Sequence, residues 1–339
     1  MYDTSNASGG TQYYTAAGAS ARTWNKTADT SLYGRWTANT YNISYVMHGG
    51  TYGTNHPTSA TYGTQFTVNN PTHAHGTFAG WNITGMSSGT HTIGGSSVSG
   101  TSATGVTATT FNNLHTTQGA TVTFTAVWTC ATGYTGDDCT ANTYTITYAA
   151  GGHGTAPTGT TTCSYGSTFH TKPAITGVTG YTFNKWTVNN KTLDPDTDVV
   201  CNNANLGATG GALTLTGTWT TNSYDIIYKD EDGETVLTDL TPANYPTSYT
   251  YGTSTTITTI PTKIYSVFNG WCTGFSNGAP TDCTNPNNPP VIGPTATGNK
   301  TFYASWSCAT GYTKYNFETY THVYNGGSSG EWLHAVPDR

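Results

Sequence analysis

Apolar and polar residues alternate along this chain in short runs with a period of two. Tyr41-Asn-Ile-Ser-Tyr45, Tyr144-Thr-Ile-Thr-Tyr148 and Tyr224-Asp-Ile-Ile-Tyr228 each place aromatic and aliphatic side chains on one face, as half-buried strands do. Val122-Thr-Phe-Thr-Ala-Val-Trp128 alternates the same way. No amphipathic run is long enough to predict a helix. The strands are punctuated by Tyr62-Gly63-Thr64, Tyr165-Gly166-Ser167 and Tyr251-Gly252-Thr253, which read as turns. Asp232-Gly233 reads as a hairpin turn with positive φ at both central positions.

These phrases keep a fixed order. An opening strand, a Tyr-Gly turn, a Phe-x-x-Trp step and a closing tryptophan recur three times. The predicted organisation is a set of repeat modules over 39–129, 142–221 and 222–307, with a Cys-bracketed linker at 130–141. Residues 1–38 read as the C-terminal part of a truncated module, and 308–339 as a partial linker copy followed by a non-repeat tail. A chain that opens partway through a module is expected to be a fragment of a longer secreted protein. Phe-x-x-Trp breaks strict alternation and predicts a bend or bulge that turns both rings to the core. A residue needed in every copy is expected to build each copy's core. That assigns Phe78, Trp81, Phe183, Trp186, Phe268 and Trp271 to the core, with Trp36, Trp128, Trp219 and Trp306 closing each copy. Trp24 and Trp332 fall outside the pattern and are freer to stack a sugar.

Gly180-Tyr-Thr-Phe-Asn-Lys-Trp186 and Thr301-Phe-Tyr-Ala-Ser-Trp306 carry a resemblance to the Listeria–Bacteroides repeat, the B-repeat class of internalin-type surface proteins. Tyr228-Lys-Asp-Glu-Asp-Gly233 is also similar to mucin-binding-protein repeats. The resemblance covers residues 1–306 and implies tandem, mainly β, β-grasp-like modules on a bacterial surface. It also implies a helix or helical turn across each sheet, which the composition does not predict. The cysteines and the Gly/Ser/Thr-rich loop at 84–110 depart from the family's common pattern.

Composition narrows the function. Charged residues make up only 8% and apolar residues 35%, yet aromatics reach 13%, unlike a disordered chain. The net charge is −6 and the 11 basic residues form no cluster, which argues against nucleic acid and against electrostatic attachment to a membrane. No apolar run approaches the roughly 18 residues of a spanning helix, so no membrane insertion is expected from this chain. The N-terminus lacks the charged and apolar regions of a signal peptide.

Seven cysteines are present. Pairing within repeats and linker gives Cys130–Cys139, Cys163–Cys201 and Cys272–Cys283, leaving Cys308 over, although sequence does not prove connectivity. Zinc sites favour closely spaced Cys pairs, and no Cys-x-x-Cys occurs. The disulfide-stapled reading implies an oxidising, extracellular or cell-surface location.

Asp194, Asp196 and Asp198 sit at every second residue, as at the start of a calcium loop, but the expected Gly and terminal Glu are missing. A polar loop tip is the simpler reading. His73 and His75 place two imidazoles on one strand face, and zinc would need further ligands from elsewhere. No nucleophile-elbow motif is present. Asn6, Asn25, Asn42, Asn82, Asn190 and Asn299 stand in glycosylation sequons, which matter only in a glycosylating host. The expected function is a non-catalytic extracellular stalk or adhesin segment without cofactors. A glycan- or mucin-binding array and accessory domains of a secreted enzyme are the alternatives. Expected partners are host or environmental glycans, mucin or cell-surface proteins.

Overall fold

The computed structural model describes residues 1–6, 8–312, 316–323 and 329–336. The chain divides into two compact units. The first comprises residues 1–144, 162–168 and 200–211, and the second residues 145–161, 169–199 and 212–339. The middle copy of the repeat contributes to both.

The first unit is built on a five-stranded sheet in the order Ser59–Thr61, Thr40–Val46, Thr121–Cys130, Gly76–Thr84, Ser102–Val106. Its opening and closing strands run parallel at the centre, with Ile43 opposite Val122, and all other neighbours are antiparallel. A smaller sheet joins Phe66–Thr67, Thr110–Asn112, Thr90–Ile93 and Ser96–Ser99. The Gly/Ser/Thr-rich loop is therefore largely strand. Tyr41, Ile43, Trp81, Ile83, Phe111 and Phe124 fill the core.

In the second unit the same sheet recurs as Ser248–Thr250, Ser223–Lys229, Lys300–Cys308, Ser266–Ser276, Ala279–Cys283. Tyr228 faces Phe302 across its parallel pair, and Ile226, Trp271 and Ile257 pack beside them. The middle copy's Tyr181–Val188 pairs antiparallel with Gly211–Thr221 and Lys191–Leu193. Asn316–Val323 and Ser329–Val336 form an antiparallel pair; the rest of the tail reading for 313–339 lies outside the described residues.

Every Phe-x-x-Trp strand carries a bulge. The register slips between Phe78 and Gly80, Phe183 and Trp186, and Phe268 and Gly270. One extra residue puts positions three apart on the same face. The paired rings consequently meet at 5.2, 4.8 and 5.2 Å.

Helix is nearly absent. Among the described residues the one helix is Asn203–Leu206, capped by the Asn202 side chain and ended by Gly207 in the left-handed region. Apart from this single turn, the helix or helical turn across each sheet that the resemblance implies is replaced by short strands and loops among the described residues. Thr, Gly and Asn are poor helix formers; Thr favours strands, and Gly and Asn favour the turns between them.

Two further expectations fail. Trp36 is 95% exposed and not a core residue. The described residues of 1–38 make isolated bridges such as Tyr2 to Tyr33, and among them no sheet face exists for that ring to cover. At Asp232-Gly233 only the glycine has positive φ. The turn is wider than a two-residue hairpin: the Asp230 amide bonds to the Thr235 carbonyl, while the Asp232 carboxylate accepts from the amides of Glu234 and Thr235.

Candidate functional site

Each unit contains one joint of the same build. In the first, Gly133 and Tyr134 of the linker meet Tyr165 of the middle copy. Tyr134 stacks on His75 with centroids 4.0 Å apart and meets the Tyr165 ring edge-on at 5.7 Å. The Asn142 amide donates to the Gly133 carbonyl at 2.9 Å, and the Tyr165 amide to the Asn142 carbonyl at 2.8 Å. The Thr135 hydroxyl reaches the Asn142 amide oxygen at 2.6 Å.

In the second unit Gly180 and Tyr181 meet Tyr251 of the last copy. Tyr181 stacks on His153 at 3.6 Å and meets the Tyr251 ring at 5.5 Å and 75°. The Asn222 amide donates to the Gly180 carbonyl at 2.9 Å, and the Tyr251 amide to the Asn222 carbonyl at 3.0 Å. Thr182 bonds the Asn222 side chain at 2.6 Å. Gly133 and Gly180 are buried at φ +88° and +78°, and a Cβ on either would strike the tyrosine ring lying over it. Only glycine permits both the backbone conformation and that approach. Each joint thus combines an aromatic stack with a backbone hydrogen-bond relay.

The sequence pattern places Tyr165 and Tyr251 at turns and Gly180-Tyr181 in the family motif but does not bring them together. The available signal is the Gly-Tyr-Thr triplet at 133–135, 180–182 and 311–313.

Trp81, Trp186 and Trp271 are fully buried, while Phe78, Phe183, Phe268, Trp128, Trp219 and Trp306 are half-buried. The Trp186 and Trp271 indoles donate to the carbonyls of Lys172 at 2.8 Å and Thr259 at 2.6 Å. The closing tryptophans bond the segment after the opening strand: Trp128 to Met47, Trp219 to Ala150 and Trp306 to Asp230. These five indoles therefore face inward and staple loops, whereas the buried Trp81 indole has no hydrogen-bond partner among the described residues. Trp24 is 47% exposed and packs on Tyr13 at 4.9 Å; the Trp332 side chain lies outside the described residues.

The bridges Cys130–Cys139, Cys163–Cys201 and Cys272–Cys283 are formed, and Cys308 is free and exposed. The three aspartates turn to cationic side chains. Asp194 pairs with Lys185 at 2.8 Å, and Asp196 and Asp198 hold the two nitrogens of His170 at 3.2 and 2.8 Å. These bonds, Asp198 first and then Asp196, raise the His170 pKa above its ordinary value. His73 and His75 meet edge to face with centroids 6.4 Å apart, but His75 stacks on Tyr134 and His73 packs near Trp128 at 5.1 Å. His91 is buried with both ring nitrogens against carbonyls of Asn113, Ser87 and Gly100. Among the described residues no group of three or more His, Cys, Asp or Glu is placed to hold a metal ion.

Comparison with known proteins agrees with the repeat. The family model described as the Listeria-Bacteroides repeat domain matches residues 41–109, 144–209 and 224–305. No curated protein sequence matches the chain. Repeats of this family occur in bacterial surface proteins. No helix among the described residues is long and apolar enough to cross a membrane.

Proposed function

The chain belongs to the Listeria-Bacteroides repeat family, and on that premise we propose that it is a non-catalytic stalk or adhesin segment of a bacterial cell-surface protein. The observation that carries the reading is the recurrence of one joint chemistry in both units. A glycine under a tyrosine ring, a stacked Tyr-His pair and an asparagine relay restrict hinge motion between consecutive copies. A repeat that must keep its successor oriented needs such a device; a flexible tether does not. The mixed sheets of the first and last copies, with opening and closing strands parallel at the centre, support reading the modules as β-grasp-like. Three disulfides support an oxidising, extracellular location.

The test is a distance distribution across the second joint, by spin or fluorescent labels at Lys191 and Asn277. A narrow distribution in the native chain that broadens in Tyr251→Ala is expected. An equally broad distribution in both would remove the spacer argument.

A second reading is direct binding of glycans or mucin, favoured by Trp24 and Trp36, which stand exposed outside the repeat cores. Titration of the oxidised chain on a glycan and mucin array tests it. Saturable binding lost in Trp24→Ala or Trp36→Ala would move the function from spacer to adhesin contact.

A further inference from the structure

Both halves of the joint occur a third time, each without a mate among the described residues. Gly311 and Tyr312 repeat the upstream half. Tyr312 stacks on Tyr265 at 4.3 Å and 23°, as Tyr134 does on His75 and Tyr181 on His153. Gly133 and Gly180 are buried under a tyrosine ring, whereas a Cβ on Gly311 meets no described atom within 4 Å. Tyr312 is 50% and Tyr265 62% exposed, and they line a cleft of about 470 Å³ with Lys263, Ile264 and Trp306.

Asn39 and Tyr62 repeat the downstream half. The Tyr62 amide donates to the Asn39 carbonyl at 2.9 Å, as Tyr165 does to Asn142 and Tyr251 to Asn222. The Asn39 side chain bonds the Thr116 carbonyl at 2.7 Å, as Asn142 bonds Thr209 at 2.8 Å. Among the described residues, however, the Asn39 amide makes no bond to a glycine carbonyl like those of its two counterparts. The Tyr62 ring is 40% exposed.

We propose that Asn39 and Tyr62 of one molecule dock onto Gly311 and Tyr312 of a second copy of this chain. The contact would be a third joint of the same build: the Tyr62 ring over Gly311, edge-on to Tyr312, with the Asn39 amide donating to the Gly311 carbonyl. The occupant is a second copy because its exposed half carries the residue types and backbone bonds that fill this seat at both internal joints. The two patches differ and lie on different parts of the chain, so the contact is heterologous and joins copies head to tail. A patch this small associates weakly without the tether that joins consecutive copies. The proposal stands on joint geometry and not on the spacer reading.

Sedimentation equilibrium on full chains carrying Cys308→Ser, which removes interchain disulfides, tests it up to about 1 mM, the affinity range of weak contacts. The parent chain is expected to rise above the monomer mass with concentration. Tyr62→Ala lacks the knob and Tyr312→Ala lacks the seat, so each alone stays monomeric. Mixed, they form dimers and nothing larger, because one variant keeps the seat and the other the knob. The mixed dimer also establishes that both variants are folded. A parent chain that stays monomeric throughout, through a seat filled by its own tail or left empty, overturns the proposal. So does either variant assembling like the parent.

Discussion

Reduction of the disulfides should lengthen the pulled chain by amounts set by where each bridge sits. Cys163–Cys201 joins residues 38 apart in sequence, Cys272–Cys283 residues 11 apart and Cys130–Cys139 residues 9 apart. Chain inside a bridge cannot extend under load. At about 3.6 Å per extended residue, opening Cys163–Cys201 releases about 140 Å, and opening Cys272–Cys283 about 40 Å. The linker bridge adds about 30 Å on the same scale. The bridges also restrict the unfolded ensemble, and the chain-entropy relation assigns about 4 kcal/mol to the longest loop and about 3 kcal/mol to each of the others. The assay is single-molecule force spectroscopy on the oxidised chain, repeated with reductant. A Cys163→Ser/Cys201→Ser double variant should show the long increment for the middle repeat without reductant. Increments unchanged by reduction, or a larger gain in the last repeat than in the middle one, would refute the reasoning.

Trp186→Ala should cost about 3–5 kcal/mol in urea unfolding, because the side chain is fully buried and its indole bonds Lys172. Trp36→Ala should change stability by less than about 0.5 kcal/mol, since that ring is exposed; equal effects would contradict the burial argument. Gly180→Ala should displace the Tyr251 ring and speed amide exchange at Asn222 and Tyr251, leaving Trp271 buried. His170 has its folded pKa raised above 6.5 by Asp198 and Asp196. Its stabilisation is therefore complete below the unfolded value and fades as pH rises through the folded one. Melting of His170→Asn should differ most from the parent below pH 6.5 and converge with it in alkali; a constant difference would count against the pairing. Asp232, held at about 2 by Thr235 and the Glu234 amide, behaves oppositely, losing its contribution as pH falls below 3.8. Asp232→Ala should converge with the parent near pH 2 in the same melting experiment.

Period-two alternation alone determined the opening and closing strands, because a strand exposes every second side chain to the same face. The Phe-x-x-Trp spacing determined the bulge, since rings three apart share a strand face only if the register slips. Order and recurrence of the motifs were enough to identify the family, and pairing cysteines within repeats and linker gave the three bridges, whose partners lie in the same local stretch. What tertiary structure decided lies between elements. Tyr134 meets Tyr165, and Tyr181 meets Tyr251, only after two copies have folded and been set against each other. A motif specifies residue type but not what covers it, so Trp36 shares a repeat position with Trp128 and still stands in solvent. The aspartates at 194, 196 and 198 have calcium-like spacing, yet strand pairing and turns bring Lys185 and His170 to them. Local pattern determines a side chain's direction along its own strand; its partner depends on the chain that arrives from elsewhere.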